Sequence, residues 1–221
     1  MSKKTLVILI IAGVLILDQA VKVWVKLTFN YSEEMRLFGS DRMLMHFVEN
    51  DGMAFGFTFG GSYGKLLLSL FRISAVVFLC VYLYELVKQT ANWKNLVGFA
   101  LIQAGAIGNI IDSAFYGLLF SDSTTNATAT FLPEGGGYAP FLYGRVVDMF
   151  YFPLFYGKYA EWIPFLGGDT YLFFKPVFNI ADVAITIGVI LLLYDQLTGL
   201  VNKKKGAAET TAAEENAQPL S

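Results

Sequence analysis

From Phe178 to Val201 the chain is apolar over a length that crosses a bilayer as a helix. Asp182 lies about five residues into this run, which at ~1.5 Å per residue is roughly 8 Å from its start. A carboxylate at that depth has to be paired, hydrated by a cavity or protonated. By default it marks a functional site. The partner of Asp182 is therefore the first thing to look for in the rest of the chain.

Three further apolar runs precede it, at about 5–27, 66–87 and 95–111. Residues of the AVILMFWYC set make up 55% of the 221 residues and charged residues 15%, well below the roughly 25% of soluble domains. Mean hydropathy is +0.53. With the run at 177–201 these predict an α-helical integral membrane protein with four transmembrane helices, a single domain over 1–202 and a polar, disordered tail over 203–221. The first run has a basic start like a signal peptide, but it ends without a small-residue cleavage pattern and reads as a retained span. Lys3 and Lys4, Lys88 and Lys94, and Lys203 to Lys205 place both termini and the short middle turn on the cytoplasmic side. A net charge of -2 suggests no nucleic-acid partner. One cysteine, Cys80, rules out an internal disulfide, and one histidine, His46, argues against a histidine-based metal site or triad.

Two stretches lie outside the membrane. Residues 29–63 are turn-rich, and Met43 to Val48 and Phe55 to Phe59 have strand character, which predicts a small extracytoplasmic β-sheet platform. Within it, Asn50-Asp51-Gly52 reads by itself as a turn. Residues 114–176 form an outer loop. Its part from Ser121 to Pro140 is rich in Ser, Thr, Asn, Gly and Pro and reads as mobile, and an aromatic segment runs from Tyr151 to Phe165.

The polar residues inside the spans repeat a pattern. Asn109 precedes Asp112 by three at the outer end of the third span, and Asn179 precedes Asp182 by three at the start of the fourth. Each amide and acid therefore share a helix face, though such pairs also serve simply as caps. In antiparallel neighbours the two motifs meet at one level, with Asp148 nearby between valines and Met149-Phe150. Asp18 and Lys22, four apart in the first span, form either a local ion pair or a face turned toward that polar site. No serine elbow, HExxH or Cys/His pair is present, so carboxylates, amides and an arginine are left. Two carboxylates a few ångströms apart share one proton and can activate water.

In order along the chain, Asp18-Gln19 with Lys22, Asn50-x-Gly52-x-Ala54-Phe55, Gly108-Asn109-x-x-Asp112, Val146-Val147-Asp148 and Asn179-x-Ala181-Asp182 resemble the five motifs of the lipoprotein signal peptidase (signal peptidase II) family. The resemblance implies an aspartyl peptidase of the bacterial inner membrane whose site opens on the extracytoplasmic face. Its substrates would be prolipoproteins, cut before a diacylglyceryl-modified cysteine within the lipid bilayer, with no metal or organic cofactor. Asp148 and Asp182 match the catalytic pair. Asn50, Gly52, Asn109, Asp112 and Asn179 match positions that shape the site or hold substrate, and Asp18 and Lys22 match a supporting motif. The resemblance also implies an outer loop with a short helix over the site.

Two features depart from the family pattern. Ser113 stands where the family usually has arginine, and the loop at 119–142 is long. Arg145, close in sequence to Asp148, is expected to supply the missing cation, with Arg72 mattering less. The rival reading is a small transporter or channel using Asp18, Asp112 and Asp182 as a polar path; a structural subunit would leave the repeated carboxylate motifs without a task.

Overall fold

A computed structural model describes residues 1–51, 61–89, 92–173 and 176–217. Four long helices carry the fold: α1 (Lys3–Thr28), α2 (Gly61–Lys88), α3 (Trp93–Ile111) and, at the end, α5 (Ile180–Ala217). Beyond α3 the chain passes through a π-helical turn, Asp112–Tyr116, and a single further turn, α4 (Gly117–Leu119). Spans of suitable length and apolarity are Lys3–Thr28, Tyr63–Lys88, Trp93–Leu119 and Ile180–Gly199. The third is longer than the run at 95–111 suggested, because the π turn carries it past Asp112.

Large apolar side chains such as Ile16, Phe71, Phe78 and Leu197 point outward on α1, α2 and α5, as lipid-facing surfaces must. Helix α3 is the internal one, and its buried face is made of small residues: Gly98, Ala100, Ala104, Gly105 and Gly108. A Cβ on Gly105 would lie 2.2 Å from the Ala181 carbonyl oxygen of α5, and one on Gly188 would lie 2.6 Å from the Gly98 oxygen. The two backbones therefore touch, and that closeness sets the positions of the functional groups at their outer ends. Gly105→Val is expected to push α3 from α5, costing about 1–3 kcal/mol of stability. Because a shift of about 1 Å can cost about a hundredfold in rate, activity should fall more than stability. Thermal unfolding and cleavage assays on one preparation test this, and a variant with wild-type activity would contradict it.

The extramembrane part is a four-stranded antiparallel sheet in the order β1-β2-β3-β6, from β1 (Glu34–Arg36), β2 (Leu44–Asn50), β3 (Val146–Tyr151) and β6 (Val177–Phe178). In β2, alternate residues Met45, Phe47 and Glu49 are buried. Val147 and Met149 of β3 join Met45 and Phe47 of β2, Val25 of α1 and Phe29 just after it, and Tyr116 and Phe120 after α3, in one apolar core that clamps the sheet to the bundle. Successive strand residues point to opposite faces, so Asp148 points away from that core, toward Asn179 at the start of α5.

Several expectations need correcting. Half of the platform comes from β3, inside what the sequence presents as an outer loop, and from β6, at the expected start of the fourth span; Phe55 to Phe59 lie outside the described residues. Part of the aromatic segment forms a hairpin, β4 (Phe155–Lys158) with β5 (Thr170–Phe173), in place of a short helix. Aromatic and β-branched residues, Phe155, Tyr156, Thr170 and Tyr171 among them, favour extended backbone there. The loop from Ser121 to Pro140 is fastened down: Phe120 bridges Phe131, Ser121 N donates to Thr130 O, and Ser123 and Ala129 are buried. Helix α5 continues to Ala217 in place of a disordered tail, since Ala- and Glu-rich sequence extends an existing helix without a new nucleus.

Candidate active site

Helix α5 begins with a reciprocal cap. Asn179 Oδ1 accepts from the Asp182 backbone N–H at 3.0 Å, and the Asn179 N–H donates to Asp182 Oδ2 at 3.2 Å. This is a capping box with aspartate in the third position. Capping and chemistry are therefore not alternatives at this motif. Since the Asn179 oxygen is taken by an N–H, its Nδ2 must face away, and it donates to Asp148 Oδ1 at 2.7 Å. The cap that starts the helix thus orients the amide that holds the second carboxylate.

A second amide is oriented from α1. Lys22 Nζ, fully buried, donates to Asn109 Oδ1 at 2.9 Å, and an ammonium only donates. Asn109 must therefore turn its Nδ2 outward, where it meets Asp182 Oδ1 at 2.9 Å. Asn109 Oδ1 also accepts from Asn179 Nδ2 at 3.2 Å, joining the two amides. Lys22 is itself held by Asp18 Oδ2 at 2.9 Å and Asp112 Oδ2 at 2.8 Å. Asp18 Oδ1 accepts from the Ala181 N–H at 2.9 Å, and Asp112 Oδ2 from the Val147 N–H at 3.2 Å. Gln19 Nε2 bonds Asp112 Oδ1 at 2.9 Å, and Tyr116, on the π turn, donates to Gln19 Oε1 at 3.2 Å. These contacts tie α1, α3, α5 and β3 into one polar cluster. Asp18 and Asp112 are used up within it, which leaves no polar path through the bundle along Asp18, Asp112 and Asp182.

Asp148 is buried on β3 and accepts from both sides, from Asn179 and from the Asn50 side chain. Because Val48 pairs with Asp148 and Asn50 with Val146, Asn50 is its diagonal neighbour on the same sheet face. Burial and the Asp182 charge push the Asp148 carboxyl up to about 7, against the Asn179 hydrogen bond. Burial is the larger of these two causes, and the Asp182 charge adds to it.

The model of the Signal peptidase (SPase) II family matches residues 10–198. The chain belongs to the signal peptidase II family. It is 48% identical over 188 residues to a lipoprotein signal peptidase of Porphyromonas gingivalis, covering 83% of this chain and 79% of that protein. A lipoprotein signal peptidase of Amoebophilus asiaticus is 35% identical over 207 residues, covering 90% and 81%. A bacterial membrane enzyme solved by the in meso method shares the fold, with a TM-score of 0.58 and 24% identity over 90% of this chain and 92% of that one. Membership in the signal peptidase II family makes the chain a membrane-embedded aspartic peptidase, a hydrolase of signal peptides.

Among the site residues expected for a signal peptidase II, the polar cluster brings together Asp18, Lys22, Asn50, Asn109, Asp112, Asp148, Asn179 and Asp182. Gly52 lies outside the described residues. Arg145 is not at the aspartates. It donates to Asp122 Oδ1 at 2.7 Å and Glu49 Oε2 at 3.4 Å, and lies over the Tyr138 ring. Arg145 stands just before β3, three residues from Asp148, and its side chain leaves on the Glu49 side of the sheet, opposite Asp148, which is why closeness in sequence misleads. Its burial works against its charge, but Asp122 and Glu49 outweigh that. Lys26 completes this second cluster with Glu49 and Ser123. Together these groups pin the long loop to β2 and the end of α1. The signal was present in the sequence: Asp18, Lys22 and Lys26 recur every four residues on one face of an apolar helix.

Proposed function

We propose that this chain removes signal peptides from prolipoproteins by cleaving on the N-terminal side of the diacylglyceryl-modified cysteine, with Asp148 and Asp182 activating water. The observation that carries this reading is the pair of joined amides, Asn109 and Asn179, which aim one N–H at each carboxylate. Asp182 sits in the first turn of α5, where the helix N-terminus favours negative charge, and two N–H groups hold its oxygens. It is the base that takes a proton from water. Asp148, buried and raised to about 7, carries the shared proton and donates it to the scissile carbonyl as the tetrahedral centre forms. Asn50 can present either its nitrogen or its oxygen to Asp148, so the same contact serves both protonation states.

The cluster lies at the sheet end of the bundle, and the lysines at the other helix ends support a site on the extracytoplasmic side with both termini cytoplasmic. Purified protein with a synthetic prolipoprotein, with and without the diacylglyceryl group, tests the activity. The expected result is one cut before the modified cysteine and little cleavage of the unmodified peptide. Flux in sealed vesicles without cleavage would favour a transporter. In a Cys80→Ala background, a cysteine at position 126 should react with an impermeant thiol reagent from outside the cell; labelling only after lysis would overturn the orientation.

A further inference from the structure

Helix α2 presents one polar stripe, and each described member of it touches the site's surroundings. Lys65 pairs with Asp51 Oδ1 at 2.6 Å, next to the Asn50 that reaches Asp148. Ser69, four residues on and buried, donates to Leu142 O at 3.2 Å, in the loop that leads into β3. Val76 O accepts from Gln103 Nε2 of α3 at 3.2 Å. Arg72 lies three residues after Ser69 and four before Val76, so the helix period puts it on this same face, half-buried. Val76 is level with Gln103 of the neighbouring, oppositely running α3, so Arg72, one turn nearer the sheet, is about level with Ile107 and within a turn of Asn109. Burial works against its charge, and the charges of Asp182, Asp112 and Asp148 act in its favour.

The other cations near the site have other work. Lys22 has its donors on Asp18, Asp112 and Asn109. Lys65 serves Asp51, and Lys26 and Arg145 serve Glu49 and Asp122 behind the sheet. Ser113 brings no charge, and its hydroxyl bonds the Asn109 carbonyl at 3.1 Å. With Asp18 and Asp112 ionised, Lys22 offsets only one of them, and a singly ionised Asp148–Asp182 pair adds a further negative charge in a region of low dielectric. We propose that Arg72 is a positioning residue of the active site, whose guanidinium, presented by α2, stabilises the ionised form of the aspartate pair and sets the pH range of cleavage. This rests on the dyad reading above. It reverses the ranking of Arg145 over Arg72 that closeness in sequence suggests.

Removing a cation favours protonated carboxylates. In Arg72→Gln the pair therefore ionises at higher pH, and both limbs of the pH profile should move upward by roughly one pH unit, the low end for an opposite charge a few ångströms away. At a pH on the wild-type acidic limb this is up to about a tenfold loss. Arg72→Lys keeps the charge and should return the limbs to their wild-type positions. Arg145→Gln should leave both limbs in place. Profiles are measured on diacylglyceryl prolipoprotein with variants whose thermal unfolding has been checked. Wild-type limbs in folded Arg72→Gln would overturn the proposal. If Arg72→Gln is too slow to profile, a folded Arg72→Lys decides: active with wild-type limbs supports the proposal, and inactivity overturns it. Asp148→Asn and Asp182→Asn run beside them; cleavage surviving in either would refute the dyad itself, whatever Arg72 does.

Discussion

Asp148→Asn and Asp182→Asn are each expected to lower cleavage by about three orders of magnitude, the middle of the range for losing a general acid or base. Both variants should fold, for reasons that differ. Around position 148 the two facing amides are Asn179, whose orientation is fixed, and Asn50, which can turn over, so a new amide finds an acceptor in the Asn50 oxygen. Around position 182 both facing donors are fixed, one by Lys22 through Asn109 and one by the backbone, so the new side chain keeps only one of its two bonds. Asp182→Asn should thus be the less stable of the two. Cleavage within tenfold of wild type in either variant would remove that carboxylate from the mechanism.

A pH series separates the stability effect at Asp148. Its carboxyl lies at about 7 in the folded chain, against an ordinary value of 3.8. As pH rises through this window the unfolded chain releases the proton first, so the wild type loses stability progressively, and above about pH 7 the loss is complete. Asp148→Asn has no such proton. Its unfolding temperature relative to wild type should therefore climb between about pH 4 and pH 7 and level off beyond. A difference independent of pH would mean that Asp148 is not held protonated by the fold.

Much of this site was legible in the sequence because helix periodicity is rigid. Asp18 with Lys22, Asn109 with Asp112 and Asn179 with Asp182 share faces by spacing alone, and the structure puts each pair in one network. The pairing across helices was not legible. The repeated motifs make Asp112 look like the mate of Asp182, yet its oxygens go to Lys22, Gln19 and the Val147 N–H. The sheet was half visible, since β3 is buried on both faces and has no alternation to read, and its partner β2 lies far away in sequence. The position of Arg145 is hidden for a related reason. Sequence closeness to Asp148 places Arg145 just before β3 and among Glu49 and Asp122 on the far side of the sheet, whereas the case for Arg72 comes from α2 packing beside α3, which the sequence does not display.

The largest loss of stability is expected from Lys22→Met. Methionine keeps the volume but removes the one ammonium between two buried carboxylates. Breaking a buried ion pair from one side costs about 3–5 kcal/mol, because the remaining charge cannot reach water. For a chain of this size that is about 10 °C in unfolding temperature. Asp18 and Asp112 cannot simply regain neutrality without cost either, since both accept backbone N–H bonds from Ala181 and Val147 that place α5 and β3. Function should suffer separately. Without the ammonium on its oxygen, Asn109 is held in this orientation only by the 3.2 Å bond from Asn179 Nδ2, and wherever it turns over Asp182 faces an acceptor in place of an N–H. The triple change Lys22→Met, Asp18→Asn and Asp112→Asn distinguishes the two effects. Replacing a whole buried ionic group by neutral residues of similar size is often close to neutral in stability, so the unfolding temperature should recover in large part. Cleavage should not recover with it. If the triple variant regains both, Lys22 only balances charge, and the orientation of Asn109 is fixed by something else.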